Sequence, residues 1–297
     1  MARIAVSQAL GLAGQERAPE RPHLDLSGPK LIRAFERLID GTEEHGGIER
    51  HVDALKLKAQ VFQQALGEGN PCTLEQFKAL CALMSSVRRR IGPHLEAPLF
   101  SVMRANIAAL VDGIADTRHT DARIGQFCAA YPDDRKHRWV RDLAAEILHY
   151  VDPERYPLMC RWVWDARTNT GALREIWHAE DIDRVVIDVP DRYGTFVMLR
   201  EELAGFLTKN GVFRDVLQYV DLLTAQIYGD YVSEQGSDYL RASFNTPSDP
   251  MQYTRRVLGL DGVDAKGRTR LKAADGKAVV IDELNLPNKI ESTDAHS

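Results

Sequence analysis

The chain has 297 residues, 44% of them hydrophobic and 27% charged, which excludes wholesale disorder and a fibrous repeat. That length buries a core without help from disulfides or metal, and no run approaches the roughly 18 apolar residues of a membrane span. With 38 Lys and Arg against 43 Asp and Glu, the net charge of -5 repels nucleic acid and anionic lipid unless a locally basic face exists.

Residues 1–26 mix Pro, Arg and Glu without periodicity and are expected to form a flexible N-terminal arm. From there the pattern is helical. Ile48, Val52, Leu55, Ala59, Phe62 and Leu66 step by three or four and predict one amphipathic helix. Thr73 and Gln76 have the spacing of a capping box that opens a helix running to about Ile91, with Arg88, Arg89 and Arg90 in its last turn. Leu99, Met103, Ile107, Leu110 and Ile114 mark the next helix, and another begins near Asp121. Trp139, Val140, Leu143, Ala144, Ile147, Leu148 and Val151 give the clearest stripe of all.

A corner marked by Pro153 and Pro157 follows. The β-branched run Arg184–Val189 predicts a strand. Two further helices carry Phe196 to Leu207 and Phe213 to Tyr231, with Asn210-Gly211 as the stop between them. Tyr219 and Leu222 lie off the main stripe of the second, which predicts either burial on two sides or a dimer surface. Beyond residue 260, Asp275-Gly276 between two short β-prone runs predicts a hairpin. The expected fold is mainly α: a multi-helix, bundle-like body over 27–260, then a small C-terminal β-hairpin appendage and polar tail over 261–297.

Cys72, Cys81, Cys128 and Cys160 show no pairing rhythm, which suits reduced thiols in a cytoplasm. The first residues are too interrupted for a signal-peptide core, so the expected location is cytoplasmic, an organelle transit segment being the alternative. No phosphate loop, dinucleotide fingerprint, nucleophile elbow or zinc-type cysteine pair occurs, which lowers the expectation of an enzyme.

Two patterns could carry chemistry. The first is a doubled Glu-x-x-His, Glu146 with His149 and Glu175 with His178, the ligand grammar of di-iron bundles. At about 100° per residue, both pairs sit away from the apolar stripes of their helices, so the expectation is a solvated face. Iron or another divalent metal at these four residues, serving a metal-dependent enzyme, is kept as the alternative. Otherwise no cofactor is expected.

The second pattern is aromatic and basic. Trp139, Trp162, Trp164 and Trp177 fall in one stretch with Tyr150, Tyr156 and eight arginines and lysines, including Arg138, Arg155 and Arg161. Trp, Tyr and Arg anchor protein partners, and the same residues stack bases and hold phosphates. Acids at Asp142, Glu146, Asp152, Glu154, Asp165 and Glu175 offset most of the charge, so a protein partner is expected over nucleic acid, and no membrane. Trp139 and Trp177, on their stripes, are expected in the core. The expected binding residues are Arg155, Tyr156, Arg161, Trp162 and Trp164. A third patch, Arg255, Arg256, Lys266, Arg268, Arg270 and Lys272 against Asp261 and Asp264, is expected to be a solvated hairpin edge.

His149-Tyr-Val-Asp-Pro-Glu-Arg-Tyr-Pro157 resembles a stretch of helical proteins related to the helix-hairpin-helix DNA glycosylases. The resemblance covers nine residues. The Gly-rich hairpin of that family is missing, and Lys209-Asn-Gly-Val212 with Asp221 has a different spacing, so no residue role is carried across. The leading expectation is an accessory or scaffold protein that binds a macromolecular partner through the aromatic and Arg-rich central region.

Overall fold

A computed structural model describes residues 23–43, 46–67, 72–240, 249–263 and 268–280. They form ten α-helices and one hairpin among the described residues: α1 (Gly28–Glu43), α2 (Ile48–Leu66), α3 (Leu74–Ala82), α4 (Leu99–Val111), α5 (Thr120–Ala129), α6 (Trp139–Val151), α7 (Ala172–Glu175), α8 (Tyr193–Lys209), α9 (Val216–Leu240), α10 (Gln252–Val257), β1 (Arg268–Lys272) and β2 (Ala278–Val280). The protein is a mainly α, multi-helix bundle with a small C-terminal hairpin. No described helix is long and apolar enough to cross a membrane.

Hydrophobic spacing accounts for most of the body. Val52, Leu55, Phe62 and Leu66 of α2 are buried as their period requires, and α2 lies against α6. In α3 the capping box forms in both directions: Thr73 Oγ1 accepts from Gln76 N at 3.2 Å, and Gln76 Oε1 accepts from Thr73 N at 2.9 Å. Helices α1 and α10 were not expected individually, although Leu31, Ala34 and Leu38 of α1 are buried at helical spacing. Helix α9 touches α1, α2, α7, α8 and α10, which explains its off-stripe residues: Leu222 is buried and Tyr219 half-buried.

Two expectations fail for physical reasons. Helix α3 stops at Ala82, well short of Ile91, because the chain at Gly259 and Gly262 presses onto its last carbonyls. A Cβ at Gly259 would lie 1.8 Å from Leu83 O, so only glycine, here at φ 73°, allows that approach. Residues 83–91 continue as turns, and Arg88 faces inward, with its Nη1 2.9 Å from Asp261 Oδ1, instead of ending a helix in solvent.

Arg184 closes a short 3₁₀ turn, Val185 after it is extended, and residues 185–189 join no sheet among the described residues. Side chains replace the missing ladder. Asn169 Nδ2 donates to Val185 O at 2.8 Å, Ile187 N donates to Asn169 Oδ1 at 3.1 Å, and Trp164 Nε1 donates to Val189 O at 2.9 Å. Asn169 holds φ 52°, the left-handed region that asparagine tolerates better than most residues.

Arg255, Arg256 and Arg270 of the third patch are exposed or half-buried and carry ion pairs. Arg256 and Arg270 approach Asp261 at 3.7 and 3.2 Å, beside Arg88, and Arg255 pairs with Asp249. Asp264 and Lys266 lie outside the described residues. The hairpin itself forms as expected, antiparallel with Lys272 opposite Ala278 and with Gly276 at φ 80° in its turn. Of the N-terminal arm, residues 1–22 lie outside the described residues. Leu24 is buried and Leu26 bridges to Trp177, so residues 23–26 join the body. The tail from 281 also lies outside the described residues.

Candidate functional site

Helix α6 lies against α2, α4 and α5, and eleven of its thirteen residues are buried. Asp142, Glu146 and His149 fall at i, i+4 and i+7 and so share one stripe of it. The sequence assigned Glu146 and His149 to solvent, and the structure overturns that: each is 3% exposed. The apolar stripe does face one wall of protein. The opposite side faces another wall, not water, so rotational phase was the wrong criterion for a surrounded helix.

Each buried polar group on that stripe has a partner, as an interior of low polarity demands. Glu146 Oε2 lies 3.1 Å from Lys58 Nζ of α2, and Ser86 Oγ donates to Glu146 Oε1 at 3.3 Å. Lys58 also donates to Leu258 O at 2.8 Å and sits 3.9 Å from the ring centre of Tyr150. Burial pushes the Glu146 carboxyl up and the Lys58 ammonium down from their usual ranges, and the contact between them opposes both shifts. His149 places Nδ1 2.8 Å from Tyr156 O and Nε2 3.1 Å from Asp221 Oδ2 of α9. Asp142 accepts from Arg161 twice, from the backbone N at 2.9 Å and from Nη2 at 2.7 Å.

The second Glu-x-x-His does not join the first. Glu175 is half-buried beside Arg174, and His178 is exposed. Among the described residues no group of three or more His, Cys, Asp or Glu side chains is placed to hold a metal ion. Glu146 and His149 are occupied by a lysine and an aspartate instead.

The expected binding residues divide. Tyr156 and Trp164 are fully buried: Tyr156 Oη donates to Ile114 O at 2.6 Å, and Trp164 supports the 185–189 segment from inside. Arg155 is exposed and pairs with Asp152 at 2.6 Å. Arg161 and Trp162 are half-buried and open onto a pocket of about 400 Å³. Trp139 is core as its stripe implies, whereas Trp177 is half-buried.

The pocket has three walls. One is ionic: Arg161 on Asp142 and, beside it, Arg138 with Nη2 2.6 Å from Asp165 Oδ2. One is aromatic, Trp162 against Tyr228 of α9 with ring centres 5.9 Å apart. The third carries hydroxyls, Thr168 and Thr170 on one side and Ser86 on the other. Thr168 and Thr170 stand in a tight loop closed by Asp165 N to Thr170 O at 2.9 Å. Gly171 ends that loop at φ 126°, and a Cβ there would lie 2.7 Å from Val163 O. Ser86 links the pocket to the interior through its bond to Glu146.

Sequence reasoning missed Lys58, Ser86, Thr168, Thr170 and Tyr228. The Thr-Asn-Thr-Gly run at 168–171 carried a turn signal that could have placed two of them. Lys58 and Tyr228 come from distant helices and gave none. No family model, no curated protein and no solved structure matches the chain.

Proposed function

We propose that the chain is an accessory or scaffold protein that binds a macromolecular partner, a protein in preference to nucleic acid, at the pocket lined by Arg161 and Trp162. The observation that carries this reading is that these two consecutive residues both open onto a recess of about 400 Å³, backed by Tyr228. Such a recess fits one inserted side chain or chain end, the geometry of an anchor contact. A protein partner is favoured because each pocket arginine is matched by a carboxylate. Nucleic-acid binding needs unmatched cations along a phosphate track. Tyr156 and Trp164 are buried in the core and, like Arg155, do not line the pocket.

Trp162→Ala removes the half-buried aromatic wall and leaves Trp164 in the core. Affinity capture from the source cell, compared between wild type and Trp162→Ala, tests the reading. A folded variant, by circular dichroism, that loses a partner held by wild type supports it. Undiminished recovery by a folded variant contradicts it.

A further inference from the structure

We infer that the pocket recognises one carboxylate carried beside an aromatic or planar group, an inference that rests on the binding reading above and specifies its chemistry. The lining holds two arginines and two aspartates, so its formal charge is zero, but the two signs do not face a ligand equally. Asp142 and Asp165 have side chains only 2% and 6% exposed, against 23% and 33% for Arg161 and Arg138. Both oxygens of Asp142 are taken by Arg161, and those of Asp165 by Arg138 Nη2 and Thr168 N. The acids therefore stand behind the guanidinium groups, and what the pocket offers is donors.

Among the described residues, the bonds to these two acids use only part of the donor set. A guanidinium carries five N–H bonds, of which Asp142 takes one from Arg161. Arg161 Nε is buried with no acceptor among the described residues, so it is closed to a ligand, and the 23% exposure of that side chain lies on its other atoms. Thr168 Oγ1 and Thr170 Oγ1 share a single hydrogen bond of 2.7 Å, so one of the two hydroxyl protons is left to donate elsewhere. A planar two-oxygen acceptor matches the guanidinium fork. Because the lining carries no net charge, each negative charge on a ligand adds repulsion from Asp142 and Asp165, so a monoanion is favoured over a dianionic phosphate. The Trp162–Tyr228 wall supplies a face for the adjoining flat group.

A carboxylate of this kind comes from a chain terminus or from a small aromatic acid, and calorimetry with two probes separates the sources. The probes are an acetylated tripeptide ending in phenylalanine and N-benzoylglycine, each titrated into the full chain beside its own amide, with phenyl phosphate as the dianionic control. Binding of either acid, with its amide weaker by more than about tenfold, supports the inference. Peptide binding alone assigns the chain terminus, and N-benzoylglycine binding shows that a small acid suffices. Arg161→Lys keeps the charge on Asp142 but loses the fork, and about a tenfold loss of acid binding is expected. Trp162→Leu, which keeps an apolar wall without a flat face, is expected to weaken both acids while leaving the circular dichroism unchanged.

Equal affinity for acid and amide, no binding of either acid at millimolar concentration, or tighter binding of phenyl phosphate overturns the inference. If no acid binds but partner capture still depends on Trp162, the pocket stands as the partner site and only its carboxylate chemistry falls.

Discussion

Lys58 and Glu146, with side chains 1% and 4% exposed, put a charged pair where salt cannot screen it. Removing both charges from such a pair is often neutral, whereas removing one leaves the other buried and uncompensated. Lys58→Met is therefore expected to lower stability by about 3–5 kcal/mol, and Lys58→Met with Glu146→Gln to recover most of that loss. Urea unfolding of the four proteins of this cycle checks it; additive losses would contradict the pairing. The cysteines give a second residue-scale test. Burial raises all four thiols, Cys72 to about 11, and Cys81 and Cys160 well above their usual value. A raised pKa means less thiolate at a given pH. The native thiols at pH 8 should react with a disulfide reagent far more slowly than the unfolded chain, and faster as pH rises. Rapid native reaction of Cys72, Cys81 or Cys160 at pH 8 would contradict their burial, while Cys128 is half-buried.

Among the elements, what was legible followed from local pattern alone. The α2 stripe, the Thr73–Gln76 box, the Asn210-Gly211 stop and the Asp275-Gly276 turn depend on neighbours in sequence, and all four stand in the structure. The errors came from partners distant in sequence. Leu83 lost its helix to Gly259, and Glu146 met Lys58 where its own helix implied water. Composition made 184–189 look like a strand, but a strand needs a ladder, and here Asn169 and Trp164 take that role. Asn169→Ala removes two of those bonds and leaves a left-handed backbone without its favoured side chain. It should destabilise by about 2–3 kcal/mol. Amide exchange at Ile187, whose N–H is freed, should quicken at the same time. Unchanged exchange there would show that the segment is held by other contacts.

At the scale of the whole molecule, the hairpin appendage is tied to the helical body. Lys272 N donates to Arg88 O at 3.0 Å, Leu271 is fully buried, and a Cβ at Gly92 would lie 2.6 Å from Lys272 O. Arg88 joins Asp261 beneath it. Arg88→Met should cost about 2–3 kcal/mol and leave one cooperative transition, because body and hairpin share those contacts. A separate early transition would show that the hairpin unfolds on its own. The candidate site was legible in the same partial way. Arg161 and Trp162 stood out by residue type, and Asp142 and Asp165 were recognised as offsetting charge. The pocket is a tertiary product of Ser86, Arg138, α6, α9 and the 161–170 loop, and no spacing in the sequence encodes it.

Site-directed photo-crosslinking tests most directly whether a partner docks at this pocket. Thr168 is exposed on the pocket wall, while Phe213 is 75% exposed and outside the lining. A photoreactive side chain at 168 should give a discrete adduct with the captured partner, lost on Trp162→Ala, and the same group at 213 should give none. An adduct from 213 but not from 168 would contradict the account.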